Sequence, residues 1–137
     1  MASVLVVDDH PAVLKMMRQT VCGCGHLFFG AKSGEECLIV LRTLTPEIIF
    51  LDIDMPPGIN GYETCRIIRN GFTKLSNVPI IFSTVYNAHK DVIVAMQVGG
   101  NDFITKPFRP ETIIKRIKKW LSRQSYSQAS IFDIFSG

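Results

Sequence analysis

Short apolar runs alternate with longer amphipathic stretches along this chain, and the alternation repeats five times. Residues 3–7 are a nearly continuous apolar run closed by two aspartates, which predicts a strand buried on both faces. Pro11 then stands where a helix begins, because its fixed φ suits the first helical turn. Val13, Leu14, Met17 and Val21 follow as one stripe that stops at Gly23 and Gly25, so the spacing predicts a helix there. Residues 26–31 predict a second strand, and Ser33 can cap a helix with Glu36 three residues on, at capping-box spacing.

Residues 47–53 predict a third strand, again ending in acid, and residues 60–70 a helix carrying Tyr62, Cys65 and Ile68 or Arg69 on nearby faces. Residues 78–83 predict a fourth strand. A helix over about 88–98 follows, terminated by Gly99 and Gly100. It carries Val92, Ile93 and Val94 in succession, and one stripe cannot bury all three, so at least one faces outward. Residues 102–105 predict a short fifth strand. The last helix begins near Pro110 with Ile113, Ile117, Trp120 and Leu121 on one face and lysines opposite. Met16, Met17 and Met96 read as core fillers, and the Trp120 ring as packing under the last helix.

Five β-then-α units imply a parallel sheet with helices on both faces. The expected architecture is a flavodoxin-like (βα)5 three-layer sandwich with strand order 2-1-3-4-5, binding ligands at the carboxyl ends of the strands. It should occupy residues 1–123, leaving 124–137 as a polar linker and a short apolar tail of Ile131, Phe132, Ile134 and Phe135. That tail is expected either to pack on the domain or a second copy, or to fray.

Composition narrows the function classes. The 137 residues are 47% hydrophobic and 20% charged, with a net charge of +3, as in an ordinary soluble domain. Most of the excess sits near one helix, as Lys115, Arg116, Lys118 and Lys119, which read as a solvated helix face and not as a nucleic-acid patch. Cys22, Cys24, Cys37 and Cys65 form no C-x-x-C pair and have no histidine at zinc spacing, His26 standing alone. They read as small hydrophobes in a reducing compartment. With no basic leader and no apolar stretch near the roughly 20 residues of a membrane span, a cytoplasmic protein without membrane contact is expected.

The polar residues at the carboxyl ends of the predicted strands are Asp8 and Asp9, Asp52, Thr84 and Lys106. Three carboxylates meeting at one spot repel, by about 4 kcal/mol per pair at about 4 Å and an effective dielectric near 20. Lys106 supplies one compensating charge, and a hard divalent ion suits the remaining oxygens. Magnesium fits, since it uses one or two carboxylates, waters and a phosphate oxygen. Such a site is equipped for phosphoryl transfer: Asp52 as nucleophile, the metal and Lys106 offsetting charge, Thr84 donating to a transferred oxygen. Each residue alone has a plainer reading, as helix cap, satisfied strand terminus or loop Lys-Pro. His10 could be a phosphoryl donor or metal ligand, but reads first as an N-terminal helix residue.

In VLVVDD (4–9), PEIIFLDIDMP (46–56), PIIFST (79–84) and GGNDFITKPF (99–108), over about residues 2–123, the chain resembles the receiver domain of bacterial two-component response regulators. The resemblance implies that Asp52 is phosphorylated by a sensor histidine kinase or histidine phosphotransfer protein. It implies a magnesium site, with manganese able to substitute, in which Asp9 binds directly, Asp8 mainly through water, and Asp54 through its backbone carbonyl. Thr84 and Lys106 take phosphate-sensing roles, Lys106–Pro107 is cis, and Phe103 occupies the aromatic switch position. Output would pass through the face of the fourth helix, fifth strand and last helix. Its recipient would be a downstream protein partner, an effector domain outside this chain or a second copy, with no direct nucleic-acid contact. The domain would assist its own phosphorylation and dephosphorylation without being an enzyme otherwise.

Four departures stand out. The loop of residues 55–61 is one residue longer than usual, Val85 stands where a small residue is usual, Asp54 adds an acid side chain, and Phe103 replaces the commoner tyrosine. Three other readings are weaker. A haloacid dehalogenase-type phosphatase would carry its D-x-D on the first strand, whereas Asp52 and Asp54 lie on the third. A receiver that binds without phosphorylation is at odds with the full residue set. A dinucleotide-binding domain lacks its G-x-G-x-x-G.

Overall fold

In a computed structural model that describes residues 1–85 and 89–125, five parallel strands lie in the order β2-β1-β3-β4-β5. They are β1 (Ser3–Val7), β2 (Leu27–Ala31), β3 (Ile48–Asp52), β4 (Ile80–Thr84) and β5 (Asp102–Thr105). The helices are α1 (Pro11–Gly23), α2 (Gly34–Val40), α3 (Gly61–Gly71), α4 (His89–Gln97) and α5 (Pro110–Ser125). Every residue of β3 and β4 is buried, as expected for central strands rich in Ile and Phe and covered on both sides.

Alternation along the strands splits the interior into two cores. Leu5, Val7, Ile49 and Leu51 pack with Cys37, Cys65, Ile68 and Ala95 of α2, α3 and α4. Val4, Val6, Ile48 and Phe50 pack with Met17, Val21, Ile113, Ile117 and Trp120 of α1 and α5. The chain leaves β1 for β2 on one side and β3 lies on the other, so the sheet has a topological switch point between β1 and β3. Ligands of such sheets bind there, at the carboxyl ends. The register pairs Val7 with Leu51, and Asp8 and Asp52 are the next residues on those two neighbouring strands.

Several sequence expectations are adjusted. The reciprocal capping box is at Asn60 and Glu63, opening α3, while Ser33 Oγ accepts from the Glu36 N–H at 3.0 Å. A 3-10 turn, Thr73–Leu75, follows α3. Met17 is buried, but Met96 is 55% exposed and fills no core, because it shares the outer side of α4 with Ile93 and Val94. Residue 88, where the α4 pattern was expected to begin, and the apolar tail of 131–135 lie outside the described residues.

Two polar anchors hold the α4–β5–α5 side. Arg69 donates to Gly99 O from Nε (3.0 Å) and Nη2 (2.8 Å), and also to Leu75 O and Asn101 Oδ1 (both 2.8 Å). Gly99 sits at φ +104°, and a Cβ there would lie 2.9 Å from Arg69 Cγ, so glycine is required twice over. On β5, Asp102 Oδ2 accepts from Trp120 Nε1 (2.8 Å) and Arg116 Nε (2.9 Å), and Oδ1 from the Phe103 N–H (2.8 Å). Burial alone would push the Asp102 pKa up. The Trp120 hydrogen bond, the Phe103 N–H and the Arg116 and Lys119 charges outweigh it and hold the carboxyl below its ordinary range.

Asp102→Asn is therefore expected to cost about 1–3 kcal/mol at pH 7, because buried donors lose an ionised acceptor. A depressed carboxylate contributes stability above its unfolded pKa and loses it as pH falls through the folded value. Urea midpoints should accordingly separate wild type from variant at pH 7 and converge in acid.

Candidate functional site

The carboxyl ends of β1 and β3 bring Asp8 and Asp52 side by side, 1% and 3% exposed. Asp8 is fixed by its neighbours. Its N–H donates to Ala31 O at 3.0 Å, and its Oδ1 accepts from the His10 N–H at 2.9 Å, which turns the chain into α1. Lys106 reaches in from the end of β5, with Nζ 2.7 Å from Asp8 Oδ2 and 3.4 Å from Asp52 Oδ2. The Lys106 N–H donates to Thr84 O at 2.7 Å, and the following Lys106–Pro107 peptide is cis. Buried Thr84 and the lysine are thus joined by one backbone hydrogen bond.

Hydrogen bonding is unevenly shared among the acids. Both oxygens of Asp8 accept from protein donors, whereas Asp9 Oδ1 and Asp52 Oδ2 are sealed from solvent and accept no hydrogen bond. Buried charged oxygens without donors are costly, and a cation is the usual remedy. Among the described residues, one group of ligand atoms could hold a metal ion: those of Asp8, Asp9, His10 and Asp52, all within 4.8 Å of one another. This donor set fits a divalent cation. The Asp54 side chain is exposed and its carboxylate is outside the group, so any part it takes falls to its backbone.

Electrostatics follow from this packing. Burial first, then the charge of Asp8, raises the Asp52 pKa from 3.8 to about 6 against the pull of Lys106. Burial works against the Lys106 charge, but the hydrogen bond and charge of Asp8, with Asp52 behind them, carry its pKa above the ordinary value.

Surrounding elements explain the local sequence. A Cβ on Gly61 would lie 2.3 Å from Asp52 O, so the start of α3 can lie against the end of β3 only with glycine there. The long 55–61 loop contains a second cis peptide, Pro56–Pro57, and is tied to α2 where Glu35 Oε2 accepts from the Ile59 N–H at 2.9 Å. Val85 lines a cleft of about 400 Å³ beside the acids with His10, Val13, Met16, Lys106, Pro107 and Phe108. Phe103 is half-buried and pairs in register with Phe82, whose ring meets Tyr62 edge-on at 5.4 Å.

The structure thus brings Asp8, Asp9, Asp52 and Lys106 together, with Thr84 adjoining and Phe103 one strand away. Sequence reasoning gave least weight to His10, whose Nδ1 lies 3.0 Å from Asp8 Oδ1 and 3.1 Å from Asp9 Oδ1. Its position next to the acid pair, at a strand-to-helix turn, was the available signal.

Comparison with known proteins agrees with this fold. The family described as response regulator receiver domain matches residues 4–118. The DNA-binding response regulator MtrA of Mycolicibacterium smegmatis is 32% identical over 96% of this chain and 55% of its own length. The transcriptional regulatory protein AfsQ1 of Streptomyces coelicolor is 36% identical over 90% of this chain and 52% of its own. The chain therefore spans about half the length of these curated relatives. Among solved structures, the chemotaxis response regulator CheY4 of Vibrio cholerae superposes with a TM-score of 0.83 at 28% identity, covering 88% of this chain and 98% of that one.

The raised Asp52 pKa has a measurable consequence in the metal-free domain. Between pH 3.8 and about 6 the folded state holds more protons than the unfolded, so this group makes stability fall as pH rises through that window. Asp52→Asn removes the penalty and should stabilise the chelator-treated domain at pH 7.5 by about 1–2 kcal/mol. That is less than the full shift converts to, because Lys106 loses a partner in the same substitution. Thermal melts of both proteins should differ at pH 7.5 and coincide below about pH 4.

Proposed function

Because this chain belongs to the response regulator receiver domain family, we propose that it accepts a phosphoryl group on Asp52 in a magnesium-dependent reaction and passes the change of state to a partner. The observation that carries this reading is Asp52 Oδ2: buried, without a hydrogen bond, beside Asp8 and 3.4 Å from the Lys106 ammonium. An ionised carboxylate needs no general base, so an unengaged oxygen is what nucleophilic attack requires.

Asp9 would hold the ion directly through its donor-free Oδ1, and Asp52 through the carboxylate oxygen not used for attack. Asp8, already engaged by His10 N–H and Lys106, would act through water, and the Asp54 carbonyl would complete the protein ligands. Manganese could replace magnesium. The ion supplies positive charge to the transferred oxygens and lowers the repulsion met by an incoming anion. In the transfer, an Asp52 oxygen bonds to the phosphorus of a phosphohistidine as the phosphorus–nitrogen bond breaks. The electron pair stays on the donor imidazole. Lys106 pairs with a phosphoryl oxygen, and the Thr84 hydroxyl donates to another.

The donor class is a sensor histidine kinase or a histidine phosphotransfer protein in the cytoplasm. Output runs through the α4–β5–α5 face, where Ile93, Val94 and Met96 are exposed, toward a protein partner, a second copy or an effector domain. Phosphate drawing the Thr84 hydroxyl inward frees space that the Phe103 ring fills, and direct nucleic-acid contact by this domain is not required. The functional unit is residues 1–123, with α5 running on to Ser125 before the expected linker and tail.

Intact mass should rise by one phosphoryl group when the domain meets acetyl phosphate with magnesium, and stay unchanged with excess chelator. Asp52→Asn should abolish the gain, and Asp9→Ala should weaken metal binding while the fold persists. Stoichiometric labelling of Asp52→Asn would place the acceptor elsewhere.

Thr84→Ala should slow labelling by about 10- to 100-fold, as loss of one transition-state donor does. With beryllofluoride, the Phe103 ring signals in NMR should shift in wild type and not in Thr84→Ala. An equal response in both would exclude the hydroxyl as the link.

A further inference from the structure

The cluster at the ends of β1 and β3 contains one donor of a different chemical kind. Asp8, Asp9 and Asp52 offer hard oxygens, whereas His10 offers an imidazole nitrogen within the same 4.8 Å group. We propose that His10 is a metal ligand of this site and makes it prefer imidazole-accepting first-row transition ions, such as cobalt(II), over magnesium. This rests on the metal-dependent reading above and narrows it to which ion the site selects.

The geometry has room for a ligand, because donor contacts near 3 Å suit a shared ion as well as the hydrogen bond that His10 Nδ1 makes to Asp8 Oδ1. Neighbouring donors on an octahedral ion with bonds of about 2.1 Å stand about 3 Å apart. His10 Nδ1 lies 3.0 Å from Asp8 Oδ1 and 3.1 Å from Asp9 Oδ1. The Asp9 oxygen is one of the two sealed oxygens that accept no hydrogen bond. The other belongs to Asp52, whose side chain is only 4% exposed. A nitrogen and two donor-poor oxygens therefore share one small space.

An ion at the imidazole would replace a single side-chain hydrogen bond, the one His10 Nδ1 makes to Asp8 Oδ1 at 3.0 Å. His10 occupies the N-cap of α1, yet its side chain makes no capping bond, and the turn is held by its backbone N–H on Asp8. The ring is 64% exposed, so an ion can reach it without unfolding α1. Oxygen-only sites suit magnesium and manganese, whereas a neutral imidazole adds affinity for the later transition ions and little for magnesium. With the metal on Nδ1, the ring proton resides on Nε2, on the other side of the ring.

The competing role for His10 is that of a counter-charge, and it predicts the opposite sign. A positively charged imidazole repels any cation, so removing it would tighten binding of every divalent ion.

Calorimetric titration of the chelator-treated full chain with magnesium chloride and with cobalt(II) chloride separates the two. Cobalt should bind more tightly than magnesium in wild type. His10→Ala should reduce the cobalt-to-magnesium affinity ratio about tenfold or more, while magnesium affinity changes by less than about threefold. His10→Gln controls for the fold and should behave like the alanine variant, with thermal melts near wild type. Pulsed EPR of the manganese-loaded chain should show imidazole nitrogen coupling in wild type, absent in both variants. An unchanged ratio without nitrogen coupling overturns the inference and leaves the metal site standing, as does tighter binding of both ions. No binding of either ion to wild type overturns it together with the metal-dependent reading.

Discussion

Three carboxylates and one ammonium at the ends of neighbouring strands leave two negative charges uncompensated, the charge of a single divalent ion. In a half-dry site such an imbalance is worth several kcal/mol, since each like pair at contact costs about 4 kcal/mol even at an effective dielectric near 20. Lys106 is therefore a structural requirement of the cluster. By hydrogen-bonding Asp8 at 2.7 Å, it makes it tolerable for two nearly sealed carboxylates to be neighbours. The raised pKa of Asp52 records first its burial and then the part of the repulsion by Asp8 that the lysine does not remove.

The sheet exists to impose that crowding. Strand order places β1 and β3 side by side, and buried Val and Ile runs fix the register, so the acids cannot move apart without exposing apolar surface. β4 and β5 then deliver Thr84 and Lys106 from the other side, joined by the Lys106 N–H on Thr84 O. Perturbation of the lysine by an anion at Asp52 thus has a direct backbone route to the end of β4.

Most of this architecture was legible because the relevant signals are local. Strand ends announce themselves where an apolar run stops, and in this chain three of those stops are Asp8, Asp52 and Thr84. The Gly99–Gly100 stop and the Pro11 start are equally local. What escaped depends on contacts between segments far apart in the chain. Arg69 reads as an ordinary helix-surface residue until Gly99, Asn101 and Leu75 are seen around it. Met96 was expected inside because methionine is apolar, yet its side of α4 faces solvent. His10 adjoins the two aspartates in the sequence as well as in space, and only the direction of its ring waited for the structure.

The Arg69 anchor also defines how α4 can move. One guanidinium grips the carbonyl of Gly99, just past the end of α4, while the opposite end of the helix follows the segment leaving β4. A nine-residue helix at about 1.5 Å per residue is a lever roughly 13 Å long. With its fulcrum fixed at Gly99, the arm has least travel beside Arg69 and most at its N-terminal end, His89. A small rotation is thereby amplified toward the N-terminal end of the helix, and Ile93 and Val94, midway along the arm, sweep an intermediate arc across the outer surface. The glycine and the arginine, neither near the chemistry, set the gearing.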